Sequence, residues 1–428
     1  MSTAQQQFIV VGGSLAGLMH GIMLRSLGHS VHIIEQADDI RESHMAGVCC
    51  AADCLEFLRR YDRISTPFSL KSERLQFVGS TGLVSHYFKA PRMVTSWDAL
   101  YWRLRANFDG KASEYYPTPP PTSYEGAGEA HFVARHKVIS IAVDGNNVNV
   151  TVMNLETGLE YVLRADRVIA ADGPNSQIRQ KYAPESQRKF TGYVAWRGTV
   201  PENEVSPEVL STFQKNVTLN LMQDDHALVY IIPGETGSLE PGKRFLNFLW
   251  YTNETKESMD ELMRDKNEHR HQYIVPAAHV RSEIWDKVLA KDHLLAPPHR
   301  EVIRKIKRPF VQSITDFVSP RAVFEDGKIL LVGDALSLYR PHTASSTNQA
   351  AFNCLAMERL IKGDIDAKEW EAEVLDFANL HCARSVWYGE NYQRAFKEAL
   401  PSALQYWGLG LMDSWRMMWY WKPSKLRW

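Results

Sequence analysis

Three short stretches hold residues whose types and order suit nucleotide chemistry. The first reads Gly12-Gly13-Ser14-Leu15-Ala16-Gly17 and is followed, after a second apolar run, by Glu35 and Gln36. The second is Asp172-Gly173. The third is Gly333-Asp334, followed by Arg340-Pro341-His342-Thr343-Ala344-Ser345-Ser346. Glycines in a turn let a phosphate approach the backbone, and the start of the next helix offers unpaired N–H groups and a positive dipole end. A carboxylate at the tip of the following strand can accept hydrogen bonds from both hydroxyls of an adenosine ribose, which disfavours a 2′-phosphate. Glu35 therefore points to a tightly held FAD or NAD rather than NADP. A carboxylate at Asp334 suits a ribityl hydroxyl, and the helix start after it suits negative charge on the pyrimidine side of a reduced flavin. Asp172-Gly173 taken alone is also common turn chemistry.

The elements that must position these groups follow from hydrophobic pattern. Residues 8–11 read as a buried parallel strand, Leu15, Leu18 and Ile22 as one face of a helix ending near Gly28, and residues 31–34 as a second strand. Strand, glycine turn, helix, strand and acid make the dinucleotide-binding unit. Ser14 stands where the middle glycine of that motif is usual, and its small side chain still allows close approach. Downstream, residues 75–87 and 138–152 read as hairpins, 96–108 as an amphipathic helix and 161–171 as a strand. Residues 115–128, with four prolines, read as a surface loop. Strands are expected at 193–200, 217–222, 227–232, 245–251 and 329–332, helices at 254–270 and 343–360, and helix thereafter to the end.

The pattern predicts an α/β protein: a Rossmann-type nucleotide domain (1–75, 92–185 and 280–365), an antiparallel-sheet substrate domain (76–91 and 186–279), and a helical C-terminal region (366–428). The 428 residues carry 49 Lys and Arg against 50 Asp and Glu, so no global field favours nucleic acid. Five cysteines without a CxxC pair fit reduced thiols, and no 18-residue apolar span occurs. A cytoplasmic location is expected.

On the covering sheet, Arg197 alternates with Trp196, and a cation there would stabilise a phenolate or protonate an opening epoxide; a structural ion pair is the alternative. Tyr230 suits donation to a substrate oxygen, or simple packing. His226 suits a proton shuttle near neutral pH, although a lone loop histidine is usually a bystander. His269-Arg270-His271 reads as a solvated helical stretch rather than a metal site, and Cys49-Cys50 as apolar packing. The tail from Trp407 to Trp428 holds five tryptophans and ends in Lys422, Lys425 and Arg427. Packing on the core or on a second subunit is the preferred reading, over a helix lying on a membrane surface.

The three motifs, in this order and about 160 residues apart, resemble those of the FAD-dependent aromatic hydroxylases, the group A flavoprotein monooxygenases, over roughly residues 7–365. The wording is most similar to the 2,6-dihydroxypyridine hydroxylase branch in Thr95-Ser-Trp97, Tyr193-Val-Ala-Trp-Arg-Gly198, Tyr230-Ile-Ile-Pro-Gly234, Asn247-Phe-Leu-Trp-Tyr251 and Arg340-Pro-His-Thr343. The resemblance implies that Gly12, Gly13, Ser14, Leu15, Ala16, Gly17, Glu35 and Gln36 hold the ADP half of FAD. It places Asp172 and Gly173 near the pyrophosphate and the approach of NADH or NADPH, and Gly333 and Asp334 on the ribityl chain. It sets Pro341, Ala344, Ser345 and Ser346 beside the isoalloxazine, with Arg41 and Val48 close to the flavin.

It implies a single-component oxidoreductase in which NAD(P)H reduces FAD and O2 forms a C4a-hydroperoxyflavin that hydroxylates a small aromatic or heteroaromatic substrate. Secondary metabolism is one setting for such enzymes, and a homodimer is a compatible assembly. Two departures bear on this. Many relatives carry arginine at Trp97, a contact that is here either lost or supplied by Arg103, and the turn at residues 344–348 lacks glycine. An epoxidase of an indole or alkene, and a binding or cyclase protein without oxygen activation, are the competing readings.

Overall fold

A computed structural model describes residues 5–39 and 46–420, with side chains to residue 412. The first apolar run forms the strand Gln7–Val11, buried at every residue after Gln7. It pairs in parallel with Ser30–Ile34 on one side and Arg167–Ala170 on the other. Ala130–Val133 extends this six-stranded sheet at one edge, and Ile329–Leu331 and Val323–Phe324 extend it at the other. Only Val323–Phe324 runs antiparallel to its neighbour. A parallel sheet of this kind is stable only when both faces are covered. The helices Leu15–Ser26, Trp97–Asp109 and Ser346–Lys362 share its core, through Leu18, Met23, Leu100, Leu104 and Met357. A three-stranded meander, His136–Asp144, Asn147–Asn154 and Glu160–Ala165, adds Ile141, Val148, Val150 and Val152 to the same core.

The single strand expected at 161–171 is two strands in different sheets. The break falls at Asp166, whose carboxylate accepts a hydrogen bond from the Gln7 N–H at 2.7 Å. Glu160–Ala165 stays in the meander while Arg167–Ala170 enters the parallel sheet.

The second layer is a ten-stranded sheet. Its path runs Ile274–Val275, Phe310–Val318, Lys189–Pro201, Phe245–Asn253, His226–Ile232, Asn216–Leu221, Leu70–Val78, Val84–Ser96 and Gly47–Cys50, with Ser337–Leu338 paired to Phe310–Val318. Its pairs are antiparallel except for Asn216–Leu221 against Leu70–Val78. The sheet reaches beyond the 76–91 and 186–279 segments expected for it. Phe310–Val318 pairs with Lys189–Pro201, and the helices Ser282–Leu289 and Pro297–Arg304 bury Trp285, Val302 and Ile303 against Trp196 and Trp250.

The long helix expected at 254–270 covers only Lys256–Leu262. Asp265 ends it by collecting the N–H groups of Asn267 and His269 and the ring of His271, so that side chain and backbone form a turn. His269 and His271 consequently sit on that turn, with ring centroids 4.7 Å apart. The C-terminal region is two helices, Ala367–Gln393, opened by a reciprocal cap between Asp366 and Glu369, and Phe396–Tyr420. No helix among the described residues is long and apolar enough to cross a membrane.

The nucleotide-type unit depends on one close contact. A Cβ on Gly17 would lie 1.9 Å from the carbonyl oxygen of Gly12. We expect Gly17→Ala to lift the helix off the turn and to lower stability to urea by about 2–3 kcal/mol. Gly79→Ala, whose added methyl meets nothing within 4 Å, is the control. Equal urea midpoints for both variants would contradict the contact.

Candidate active site

Three strand ends, at Val11, Ile34 and Ala170, open side by side at the carboxyl edge of the parallel sheet. Gly12 turns the chain there with φ +101°, and a Cβ on it would meet the Ala171 carbonyl oxygen at 2.3 Å. Its N–H donates to the Ile34 carbonyl at 2.8 Å, which ties the turn to the neighbouring strand. Glu35 is buried at the tip of that strand, and its carboxylate accepts from the N–H groups of Gly13 at 2.6 Å and Ala37 at 2.8 Å. Beside these groups lies a cleft of about 450 Å³, lined by Gly12, Ser14, Glu35, Gln36, Asp172 and Gly173. Ser14 makes no side-chain cap, so the N-terminus of Leu15–Ser26 opens onto the cleft with its first N–H groups uncapped by that side chain. Asp172 accepts from the Gln177 N–H at 3.0 Å, and burial pushes its carboxyl up. A backbone that tolerates no Cβ, a helix start and a carboxylate at the strand tip fit a pyrophosphate and its ribose.

The Gly333–Asp334 turn does not line this cleft. It packs on it from behind, where a Cβ on Gly333 would come within 2.6 Å of Ala16. Helix Ser346–Lys362 fixes the turn from inside. Asn353 accepts from the Gly333 N–H at 3.0 Å, while Gln349 donates to the carbonyls of Gly333 at 2.7 Å and Ser337 at 2.8 Å. Asp334 is pushed up to about 6 by burial, against the pull of the Arg188 charge. Pro341–Thr343 form one turn, Ala344 follows in the left-handed region at φ +51°, and Ser346 opens the helix. A methyl group there is strained where glycine would not be.

The inner face of the large sheet meets this turn through His342. Its Nε2 shares a 2.8 Å hydrogen bond with the Tyr193 hydroxyl, and its ring lies 4.7 Å from Tyr251 and 5.1 Å from His226. His226 stacks on Tyr251 at 4.5 Å, and its Nδ1 donates to Gln393 Oε1 at 2.9 Å. It is a buried residue at the start of His226–Ile232, not the loop histidine expected. Burial holds it down to about 4 and drives His342 down as well, with His226 and Arg340 adding to the effect on His342. Burial pushes Tyr193 and Tyr230 up to about 12. Arg197 donates to Gln312 Oε1 at 3.2 Å and stands 5.2 Å from the Phe310 ring centre, with its Nε buried and unpartnered. Among the described residues it has no ion-pair partner, the structural alternative raised for it. Tyr230 packs over Gly47, where a Cβ would meet its hydroxyl oxygen at 2.4 Å, and so lies beside Val48.

The structure thus brings the glycine turn, Glu35, Gln36, Asp172 and Gly173 around one cleft, and Arg197, Tyr230 and His226 onto one sheet face. Leu15 and Ala16 lie on the helix behind the turn, and Ser345 precedes Ser346 at the next helix start. Arg41 lies outside the described residues. Arg103 is not free to replace a missing arginine at Trp97: it is buried against Asp62 at 2.5 Å and donates to the carbonyls of Thr66 and Ile64. Tyr193, Tyr251 and Asn247 entered the sequence reading only as family wording, and His342 only as part of the 341–346 segment expected beside the isoalloxazine. Strand alternation from Arg197 back to Tyr193 would have placed Tyr193 on the same face.

A family model described as FAD binding domain-like matches residues 190–316, the heart of the large sheet. The chain is 26% identical over 381 residues, 88% of each chain, to the 2,6-dihydroxypyridine 3-monooxygenase of Paenarthrobacter nicotinovorans. It superposes on the structure of 2,6-dihydroxypyridine-3-hydroxylase from Arthrobacter nicotinovorans with a TM-score of 0.79 and 24% identity, covering 92% of this chain and 94% of that one. Its relatives and structural neighbours include aromatic-ring monooxygenases, and it shares their fold. The same fold extends to Klebsiella pneumoniae HpxO, solved with FAD and uric acid, at TM-score 0.67 and 16% identity, over 94% and 92% of the chains. The α/β architecture expected from sequence is observed, with its interrupted Rossmann-type domain, largely antiparallel sheet and helical C-terminus.

The buried state of His226 has a measurable consequence. Folded, it stays neutral to about pH 4, whereas an unfolded histidine protonates near about 6.5. Its contribution to stability is therefore fully present above the unfolded value and drains as pH falls from there towards 4. We expect His226→Gln to flatten the acid-side stability slope by up to about 1.4 kcal/mol per pH unit, measured by urea unfolding. An unchanged slope would mean that the ring is solvated.

Proposed function

We propose that the chain is an FAD- and NAD(P)H-dependent monooxygenase that hydroxylates an aromatic or heteroaromatic small molecule on the sheet face of Arg197, Tyr230 and His226. The supporting observation is the junction at His342. It joins the turn after Gly333–Asp334, which packs behind the nucleotide cleft, to the sheet face, and so supports reading cleft and covering sheet as two parts of one site.

In this reading Gly12, Gly13, Ser14 and Gly17 cradle the pyrophosphate, and Glu35 and Gln36 hold the adenosine ribose. Asp172 and Gly173 border the reductant's approach, Asp334 takes the ribityl chain, and Pro341, Ala344, Ser345 and Ser346 lie beside the isoalloxazine. Leu15, Ala16 and Val48 pack around the cofactor. FAD, when bound, supplies the centre that takes a hydride from NAD(P)H and activates O2 for transfer of one oxygen atom.

The remaining work falls to the chain. Arg197, with an unpartnered Nε, binds the oxygen of a phenol or hydroxypyridine and favours its anion, which raises electron density on the ring. Tyr230, kept neutral by burial, donates a hydrogen bond and sets the ring's orientation. Gln393 takes the His226 Nδ1–H, which leaves the neutral Nε2 to accept a hydrogen bond from a substrate hydroxyl.

NAD(P)H consumption by the FAD-loaded protein across a panel of phenols and hydroxypyridines tests this, with labelled O2 followed into product. Stimulated consumption and one labelled oxygen per product are expected. Arg197→Ala should lower kcat/KM by about a hundredfold, the size of a lost charge-assisted hydrogen bond, while FAD stays bound. No ligand effect and no labelled product would contradict the assignment, and intact coupled turnover in Arg197→Ala would remove that residue from it.

A further inference from the structure

Part of the inner face of the covering sheet is hollow. On His226–Ile232 the outward side chains Ala227, Val229 and Ile231 are buried, while the inward Leu228 and Tyr230 are partly open. Arg197 and Thr199 are partly open on the same inner face. The register sets Tyr230 opposite Asn247, Asn247 opposite Thr199, and Arg197 opposite Leu249. Arg197 and Asn247 are therefore diagonal neighbours on one face, about 7–8 Å apart along the backbone. A single ring with a hydrogen bond at each end spans such a gap.

Asn247 is 1% exposed, and its Oδ1 accepts from the Gly47 N–H at 3.3 Å. A backbone N–H can only donate, so this bond fixes which end of the amide is oxygen. The other end, Nδ2, is buried and has no hydrogen-bond partner among the described residues. Arg197 Nε is in the same condition. Tyr230 completes the group, because its hydroxyl lies where a Cβ of Gly47 would be, 2.4 Å away. Buried donors are nearly always paired, and two orphans on one hollow face lack an acceptor that a ligand can bring.

We propose that Asn247 is a specificity-determining residue of the substrate site, donating to a second oxygen of the ring whose first oxygen meets Arg197. This rests on reading the sheet face as the substrate site. A ring with one oxygen satisfies Arg197 and leaves the Asn247 amide buried and unpaired. The residue thereby selects between rings that differ by a single acceptor.

Calorimetric titration of the FAD-loaded protein, without NAD(P)H, compares resorcinol with phenol and 2,6-dihydroxypyridine with 2-hydroxypyridine. The two-oxygen member of each pair should bind about tenfold tighter, the size of one hydrogen bond. Asn247→Leu should erase that difference and leave the one-oxygen member where it was, whereas a merely structural role would weaken both alike. Should that variant fail to fold, Asn247→Asp keeps an acceptor for the Gly47 N–H, and the two-oxygen ring should again lose more. Equal affinities within each pair, equal losses in the variants, or no binding by any of the four overturns the proposal. Binding that depends on Asn247 but stimulates no NAD(P)H consumption supports it and counts against the hydroxylase reading instead.

Discussion

The structure depends on how closely the chain passes itself at Gly12. The carbonyl oxygen of Gly12 fills the space a Cβ of Gly17 would need, and the Ala171 carbonyl fills the space a Cβ of Gly12 would need. Strand, turn and helix are therefore locked within van der Waals contact at the one edge where strand ends diverge. That edge is where ligands of open parallel sheets bind, because the diverging connections leave a crevice there. Gly333 repeats the device from the other side, pressed on Ala16, so the third motif is referenced to the same helix as the first.

Much of this was legible from residues because it is local. Residues 8–35 needed only an apolar run, glycines, a helical stripe and an acid to fix strand, turn, helix and strand. What could not be read was the partnership of distant elements. Asp166 divides one apolar stretch between two sheets through a bond to Gln7, and no pattern in residues 161–171 announces it. Phe310–Val318 joins the covering sheet because Lys189–Pro201 pairs with it, a long-range choice invisible in its own alternation. Strand alternation, which is local, put Arg197 and Tyr230 on the covering sheet, whereas the partners of His342, Tyr193 and Tyr251, lie across the layer boundary and could not be read from the 341–346 segment expected beside the flavin.

The two layers differ in what burial does. In the parallel sheet it supplies core. On the inner face of the covering sheet it sets protonation: His226 and His342 are kept neutral and Tyr193 and Tyr230 are kept protonated. Arg197 stands on the same face, with its Nε buried and without a hydrogen-bond partner among the described residues. Under the proposed function, such a wall keeps water from the substrate ring and favours its anion.

Calorimetric titration of the flavin-stripped protein with FAD, FMN and ADP tests the central claim, that the cleft at Gly12 and Glu35 holds an adenosine diphosphate half. The account predicts one FAD per chain, competition by ADP, and FMN binding far weaker than FAD. FMN binding as tightly as FAD, or FAD binding that ADP does not displace, would contradict it.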